Sequence, residues 1–505
     1  MAPVMGSPWA HSEIAPVDSS ARDTLTGQIW DVVIVGGGLA GVSAAAALLE
    51  SGRSVCLVEA HQLGRGTTGS ATAKVTSSHG VIASRIAERH GFDIAVRYQE
   101  ANDRGFRWLE DLVATLPDDV GWSEVTHVVH GIDRADALDA SFHIALAAAS
   151  APIEVQPPAW ARGPSLAWGR SALVQPLSLV RAIARRLQGE GVAIRQGAPV
   201  VAVRDRGGVQ ELRLGDDSTL RGAQVVVATG LPVVDPELLV PRMAFQWHLA
   251  AAIPSDAHVP TTYDVDALGL STRPAVLQDG RPVAVVVGPA TDLREVASGR
   301  AIEVMRELCA PLFDLSSATH MWTARDGASP GLLPVAHRSR RHPYVTTITG
   351  MNGWGFTNAA AIARELPRML DIVERSGEGS GPLDDLWEKG LSTSPTSLIG
   401  PTIHTAAALA RGVMSSIGRG GSELPIGAGV IMGGPLNPRA VCRTEDGTLH
   451  SVSARCTHAG CLVEWNTVSS SWICPCHGSE FGPDGTAIQG PATRPLRSVA
   501  SGHGA

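Results

Sequence analysis

Lysine is almost missing from this 505-residue chain: of its 41 basic residues only Lys74 and Lys389 are lysines. With 55 glycines and abundant alanine, this is the bias of GC-rich coding, so the arginine count carries no functional message. Nor is positive charge in excess. Forty-nine acidic residues leave a net charge of −8, which speaks against a nucleic-acid or anionic-membrane partner. The opening stretch MAPVMGSPWAHSEIAPVDSS lacks both the basic start and the apolar segment of a secretory signal, so the chain is expected to stay in the cytoplasm. Val32 to Leu49 has the length of a membrane span, but Gly36, Gly37, Gly38 and Gly41 break it into strand, turn and helix, and no membrane anchor is expected. Cysteine is scarce before residue 442, where only Cys56 and Cys309 occur, whereas Cys442, Cys456, Cys461, Cys474 and Cys476 crowd the last 65 residues. In a cytosolic chain such a cluster signifies metal or redox chemistry before a disulfide framework.

The length excludes a single small binding module, and 44% apolar with 18% charged residues describes an ordinary globular protein with a sizeable core. Residues 1–27 are rich in Pro, Ser and Ala without periodicity and are expected to form a loose lead-in. From Ile29 the pattern becomes βαβ: DVVIV, a helix through Leu49, then SVCLVEA. Strand-like runs follow at GVAIRQG, PVVAVRD and AQVVVATG, then at VAVVVGP and YVTTITG, and a helix is expected from Asn358 to about Val373 with a kink at Pro367. The expected division is a main body over 28–385, a linker over 386–424 carrying a short helix at 401–417, and a final unit over 425–505. That unit is too small to stand on its apolar core alone and is expected to be held by metal.

Gly36, Gly38 and Gly41 form GxGxxG directly after a strand and at the start of a helix. The first glycine permits the tight turn, the second lets a pyrophosphate approach the backbone, and the third lets helix pack on strand. Glu59 ends the next strand, 18 residues after Gly41, where its carboxylate can accept from ribose hydroxyls. The following HQLGRGTTGSATAKVTSSHG resembles the loop that runs toward the flavin ring in the D-amino acid oxidase and glycine oxidase family. VVVATG, ending at Gly230, and TGMNGWGFTNAAAIA from Thr349 resemble two further segments of that family. The resemblance covers about residues 28–375. It implies FAD in a Rossmann-like α/β domain beside a mixed-sheet substrate domain, with Arg65, Thr68, Gly353, Gly355 and Thr357 near the cofactor. Lys74 lies in the loop expected beside flavin N5, a surface or phosphate-facing lysine being the alternative. His79 is a candidate base, or else a hydrogen-bonded structural histidine; Trp354 faces the substrate or packs in the core. Trp247, His248 and Arg325 fall in the substrate region without forming a recognisable carboxylate clamp.

Near the C-terminus stand CTHAGC at 456–461 and CPCHGS at 474–479. Cys456 and His458 make a CxH pair and Cys474 and His477 a CxxH pair, a spacing that resembles a small all-β Rieske domain, in which two thiolates hold one iron of a [2Fe–2S] cluster and two imidazoles the other. A structural Cys2His2 zinc site is the alternative. The resemblance implies a disulfide between Cys461 and Cys476, as in respiratory Rieske proteins and unlike Rieske oxygenases. Ser479 matches the residue whose hydroxyl bonds a bridging sulfide. Phe481 stands where those proteins carry Tyr, which implies a lowered potential. GPATRPL matches the proline loop that covers the cluster, and the remaining RSVASGHGA is short for closing strands.

Together the two resemblances imply a flavoprotein fused to a Rieske domain. The expected reaction is hydride transfer from a carbon bearing an amine or amino-acid nitrogen to FAD, with electrons passed singly through the cluster to an external acceptor. The alternatives are a pure electron-transfer protein and inward flow from a ferredoxin-like donor.

Overall fold

The computed structural model describes residues 3–9, 27–235, 237–256, 258–266, 269–297, 299–376, 384–391, 424–434 and 436–499. Its first layer is a sheet in which Ile29–Val35 pairs in parallel with Val55–Val58 on one side and Thr219–Gly230 on the other. Ala193–Arg195 extends one edge, Val200–Asp205 and Gln210–Leu214 form a hairpin at the other, and Val345–Thr349 runs parallel to the end of Thr219–Gly230. The central strands read as continuous apolar runs because helices cover the sheet. Leu39–Glu50 follows the first strand, and Gly355–Ser376 packs between it and Phe92–Ala114, touching both. The last helix begins three residues earlier than its sequence pattern and continues through Pro367.

The second layer is a mixed eight-stranded sheet built around Ala244–Pro254, Pro282–Thr291 and His320–Ala328. Its edge is finished from within the segment expected to be a loose lead-in: Val4–Met5 pairs in parallel with His320 and Met321. Trp9 is buried beneath the Arg273 guanidinium and donates through Nε1 to the Ala71 carbonyl at 3.0 Å. An isolated indole in a polar stretch gives no periodic signal, so only the tertiary contact reveals its role.

The expected linker starts too early at 386. Leu386 and Trp387 are fully buried in the main core, and Gly331 N donates to Gly390 O, so the helix Asp384–Glu388 and the turn after it belong to the flavin-side body. The helix expected at 401–417 lies outside the described residues. From residue 424 two small antiparallel sheets form, Gly429–Met432 with Arg439–Arg443 and Leu449–Ser453, and Glu464–Asn466 with Ser471–Ile473, Glu480–Phe481 and Ala487–Gln489. The short C-terminal stretch does close the first sheet: Ser453 N donates to Arg497 O and Val499 N to Ser451 O. Among the described residues no helix is long and apolar enough to cross a membrane.

Candidate functional site

One cavity of about 1160 Å³ is lined by Gly36, Gly38 and Glu59 of the nucleotide-binding unit and also by residues 486–490 of the C-terminal unit. The three fingerprint glycines have different reasons to be glycine. Gly36 has φ +111°, and a Cβ there would meet Ala228 O at 2.6 Å; a Cβ on Gly41 would lie 1.8 Å from Gly36 O. Both are demanded by the fold. Gly38 is extended, and a Cβ there would meet only Thr68 Oγ1, at a tight 3.2 Å that a shift of one side chain relieves, so the fold's own demand for glycine is weaker than at Gly36 or Gly41. The open approach to the helix N-terminus suits a pyrophosphate, and the cavity has room for a dinucleotide. Glu59 accepts from Gly37 N at 2.7 Å and His61 N at 2.8 Å, which fixes its carboxylate at the cavity wall. Thr68 Oγ1 accepts from Leu39 N at 3.2 Å, and Arg65 stands exposed at the rim. Gly230, Gly353 and Gly355 line the cavity. Thr357 does not, because the helix turns its hydroxyl inward onto Thr76 O and the His79 ring.

Lys74 opens onto this cavity. Its ammonium donates to Thr262 O at 3.0 Å and to Ser271 Oγ, and it lies 5.8 Å from the Tyr263 ring centre. Burial, with a smaller contribution from Arg273, pulls its pKa down to about 7. It is therefore a cavity residue and not a surface lysine. His79 is enclosed: Nδ1 meets Tyr98 OH at 2.7 Å, Nε2 meets Thr76 O at 2.7 Å and Thr357 Oγ1 at 2.9 Å, and burial pushes the pKa to about 3. Both ring nitrogens are engaged within the protein, although His79 also lines the cavity. The ring stacks on Trp354 at 4.7 Å, and Trp354, half-buried, also meets Tyr263 edge-on, which places the indole at the cavity wall and not in the apolar core. His248 lines the cavity too, whereas Trp247 packs in an apolar cluster.

Sequence reasoning missed Asp326. Its carboxylate lines the cavity and accepts from the backbone of Gly327 and Gly353, and burial raises its pKa to about 7. Nothing in TARDGA distinguishes this aspartate from a surface one. Only the pairing of the strand His320–Ala328 within the second sheet carries it to the glycine turn.

The two cysteine–histidine loops are built alike. Cys456 N donates to Cys461 O and Gly460 N returns to Cys456 O; Cys474 N donates to Ser479 O and Gly478 N returns to Cys474 O. Gly460 and Gly478 supply the positive φ that each tight loop requires. The loops bring the His458 and His477 rings to 4.9 Å, nearly perpendicular, and the Cys456 and Cys474 thiols into contact. That contact, with backbone N–H groups of His458 and Ala459 and the Ser479 hydroxyl, favours a thiolate at Cys456. Both nitrogens of buried His477 have no partner within the protein. A buried imidazole with both nitrogens orphaned, beside the second histidine ring, together with two thiols in mutual contact on the same pair of loops, fits an iron–sulfur cluster held by Cys456, Cys474, His458 and His477. A disulfide joins Cys461 to Cys476 and ties the loops together. The histidines differ in surroundings: His477 is 5% exposed, and His458 is exposed.

The C-terminal unit is docked on the cavity. Arg325 donates to Gly478 O, next to His477, and to Gly490 O at 3.4 Å. Burial lowers its guanidinium to about 10, which leaves it charged at neutral pH. Val468 and Ile473 join Trp247, Leu249, Leu293 and Val296 in one apolar cluster, so the contact has a packed core.

Comparison with known proteins agrees with this geometry. The model of the FAD dependent oxidoreductase family (DAO) matches residues 31–369, and that of the Rieske [2Fe-2S] domain matches residues 407–500. The chain is 25% identical over 486 residues to the Bacillus subtilis protein YhfW, which bears a Rieske 2Fe-2S iron–sulfur designation, covering 93% of each. It is 47% identical over 64 residues to the chloroplastic cytochrome b6-f complex iron-sulfur subunit of Bigelowiella natans, 12% of this chain and 25% of that protein. The structure of glycine oxidase from Geobacillus kaustophilus has the same fold, with TM-score 0.56 and 16% identity over 72% of this chain and 98% of that one.

Proposed function

The chain belongs to the FAD dependent oxidoreductase (DAO) family, and from that premise we propose that it dehydrogenates a small amine or amino acid and sends the electrons through its own Rieske cluster to an external one-electron acceptor. It is an FAD-dependent oxidoreductase with a Rieske [2Fe–2S] centre. The observation that carries the proposal is Arg325, which lines the cavity and holds the carbonyl of Gly478 beside His477, so a single side chain spans the distance from oxidation site to cluster loop. Bound FAD supplies a two-electron acceptor and the cluster a one-electron relay.

The chain's own residues prepare the substrate. An ammonium substrate must lose a proton before its C–H bond can be oxidised to an imine, and Lys74 and Asp326 are the desolvated groups of the cavity with pKa near 7. Lys74, neutral above its pKa, is the proton acceptor in this reading, while Asp326 holds the Gly353 turn. Water then adds to the released imine to give a carbonyl product and ammonia. On the far side, exposed His458 offers the cluster to an acceptor.

If Lys74 takes the proton, the anaerobic rate of flavin reduction rises with pH through about 7, because the acceptor form is the neutral amine. In Lys74→Met that inflection is expected to vanish and the rate to fall by roughly 10² to 10⁴-fold, the usual contribution of general base catalysis. Stopped-flow flavin absorbance across pH 5.5–8.5, with a substrate found by screening metabolites for anaerobic bleaching, reads both. An unchanged inflection in Lys74→Met would remove Lys74 from the mechanism.

The disulfide is a brace and not a ligand pair. Cys476→Ser is therefore expected to keep its iron and acid-labile sulfide while the small domain loses about 3 kcal/mol of stability. Metal analysis beside thermal melting checks it; a folded but iron-free Cys476→Ser protein would mean that the ligands are assigned wrongly.

A further inference from the structure

Resting on the family membership and the relay reading above, we propose that the FAD site is composite: the Rieske domain forms one of its walls, and Gln489 is a positioning residue for the FAD pyrophosphate. Residues 486–490, outside the stretch 31–369 that the FAD dependent oxidoreductase model matches, line the same cavity as Gly36 and Gly38. Gln489 Nε2 donates to Thr67 Oγ1 at 2.9 Å across 422 residues of sequence. Thr67 opens the short helix Thr67–Ser70, whose next residue, Thr68, receives the backbone N–H of Leu39 at the start of the fingerprint helix. The side-chain amide of the Rieske strand thus fixes the turn that shapes the phosphate end of the cavity. The two segments run close here, since a Cβ on Gly66 would stand in ordinary contact with Gln489 Nε2 at 3.6 Å.

The wall is held in place from two sides. Arg325 grips Gly478 O and Gly490 O, the latter immediately after Gln489, and Asn466 Nδ2 donates to Thr323 Oγ1 at 3.4 Å. The apolar cluster that includes Val468 and Ile473 packs behind these contacts. With this docking, the Rieske domain is a fixed part of the flavin site, and FAD retention depends on a residue far outside the family's own domain.

The test measures FAD affinity of the full-length, cluster-loaded protein after removal and readdition of FAD, by fluorescence quenching. Gln489→Ala and Thr67→Val are each expected to weaken FAD about tenfold, the size of one lost hydrogen bond, with iron, labile sulfide and the cluster's EPR signal unchanged. The double variant is expected to be no weaker than either single one, because both remove the same contact. Thr67→Ser keeps the hydroxyl and is expected to retain the parent affinity. Parent-like affinity in Gln489→Ala, fully additive losses in the double variant, or a Thr67→Ser loss equal to that of Thr67→Val would each overturn the proposal. Failure of the relay reading looks different: the parent protein would then show a cluster that stays oxidised when its flavin is reduced anaerobically, whatever the FAD affinities.

Discussion

His477→Ala protein is expected to contain no more than background iron and labile sulfide, and its turnover with a one-electron acceptor is expected to fall at least about a hundredfold, while substrate still reduces its flavin at the parent rate. Removal even of groups that support metal ligands costs 10–100-fold in affinity or activity, and here a ligand itself is lost. The imidazole cannot be replaced by a neighbour, since both its nitrogens lack a protein partner and it is only 5% exposed. Although a unit this small is expected to lean on its metal, the fold should survive the change because it is braced in other ways and docked on the larger body. The disulfide Cys461–Cys476, the paired loop hydrogen bonds and the apolar contact through Val468 and Ile473 do not involve the histidine side chain. FAD is supplied in excess during the assay so that the first half-reaction is read at saturation. The split between the two half-reactions is the decisive outcome. Equal loss in both would mean that the C-terminal domain serves the flavin site only as structure, and undiminished turnover would show that electrons leave by another route.

The two cofactor sites were legible because each is written in a short stretch of chain. GxGxxG needs only a strand, a turn and a helix, and CTHAGC and CPCHGS close loops of six residues whose glycines and thiols are neighbours in sequence. Lys74 stood out through composition alone, and its place on the cavity wall follows from the antiparallel pairing of Lys74 with Leu173. The unforeseen contacts are all long-range. Asp326 reaches the glycine turn, Arg325 reaches Gly478 across 153 residues and Gln489 reaches Thr67 across 422, and at none of these positions does the local pattern differ from an ordinary strand. His79 is the opposite case. A histidine five residues after the lysine reads as a candidate base, yet only the packing of Tyr98 and Thr357 around it shows that its hydrogen bonds are already made.

Gly38→Val should separate binding from folding more sharply than any other change in the nucleotide unit. At Gly38 the backbone is extended, a conformation open to every residue, and the nearest atom to an added Cβ is the Thr68 hydroxyl at 3.2 Å. The protein accepts a Cβ here with a small shift of the Thr68 side chain, but the bound pyrophosphate does not, because the branched group occupies the approach to the helix N-terminus and to backbone N–H donors. Losing two charge-assisted hydrogen bonds of about 2 kcal/mol each lowers FAD affinity by roughly a thousandfold. The variant should therefore be purified without flavin, with an unchanged melting temperature relative to flavin-stripped parent protein and a full complement of iron. Gly41→Val is the contrast: its Cβ would stand 1.8 Å from Gly36 O, so strand and helix must separate and the domain itself should fail. Fluorescence titration of FAD beside iron analysis tests both. Parent-like FAD binding by Gly38→Val would show that the pyrophosphate does not lie against this glycine, and loss of iron together with flavin would show that the two domains fold only as one unit.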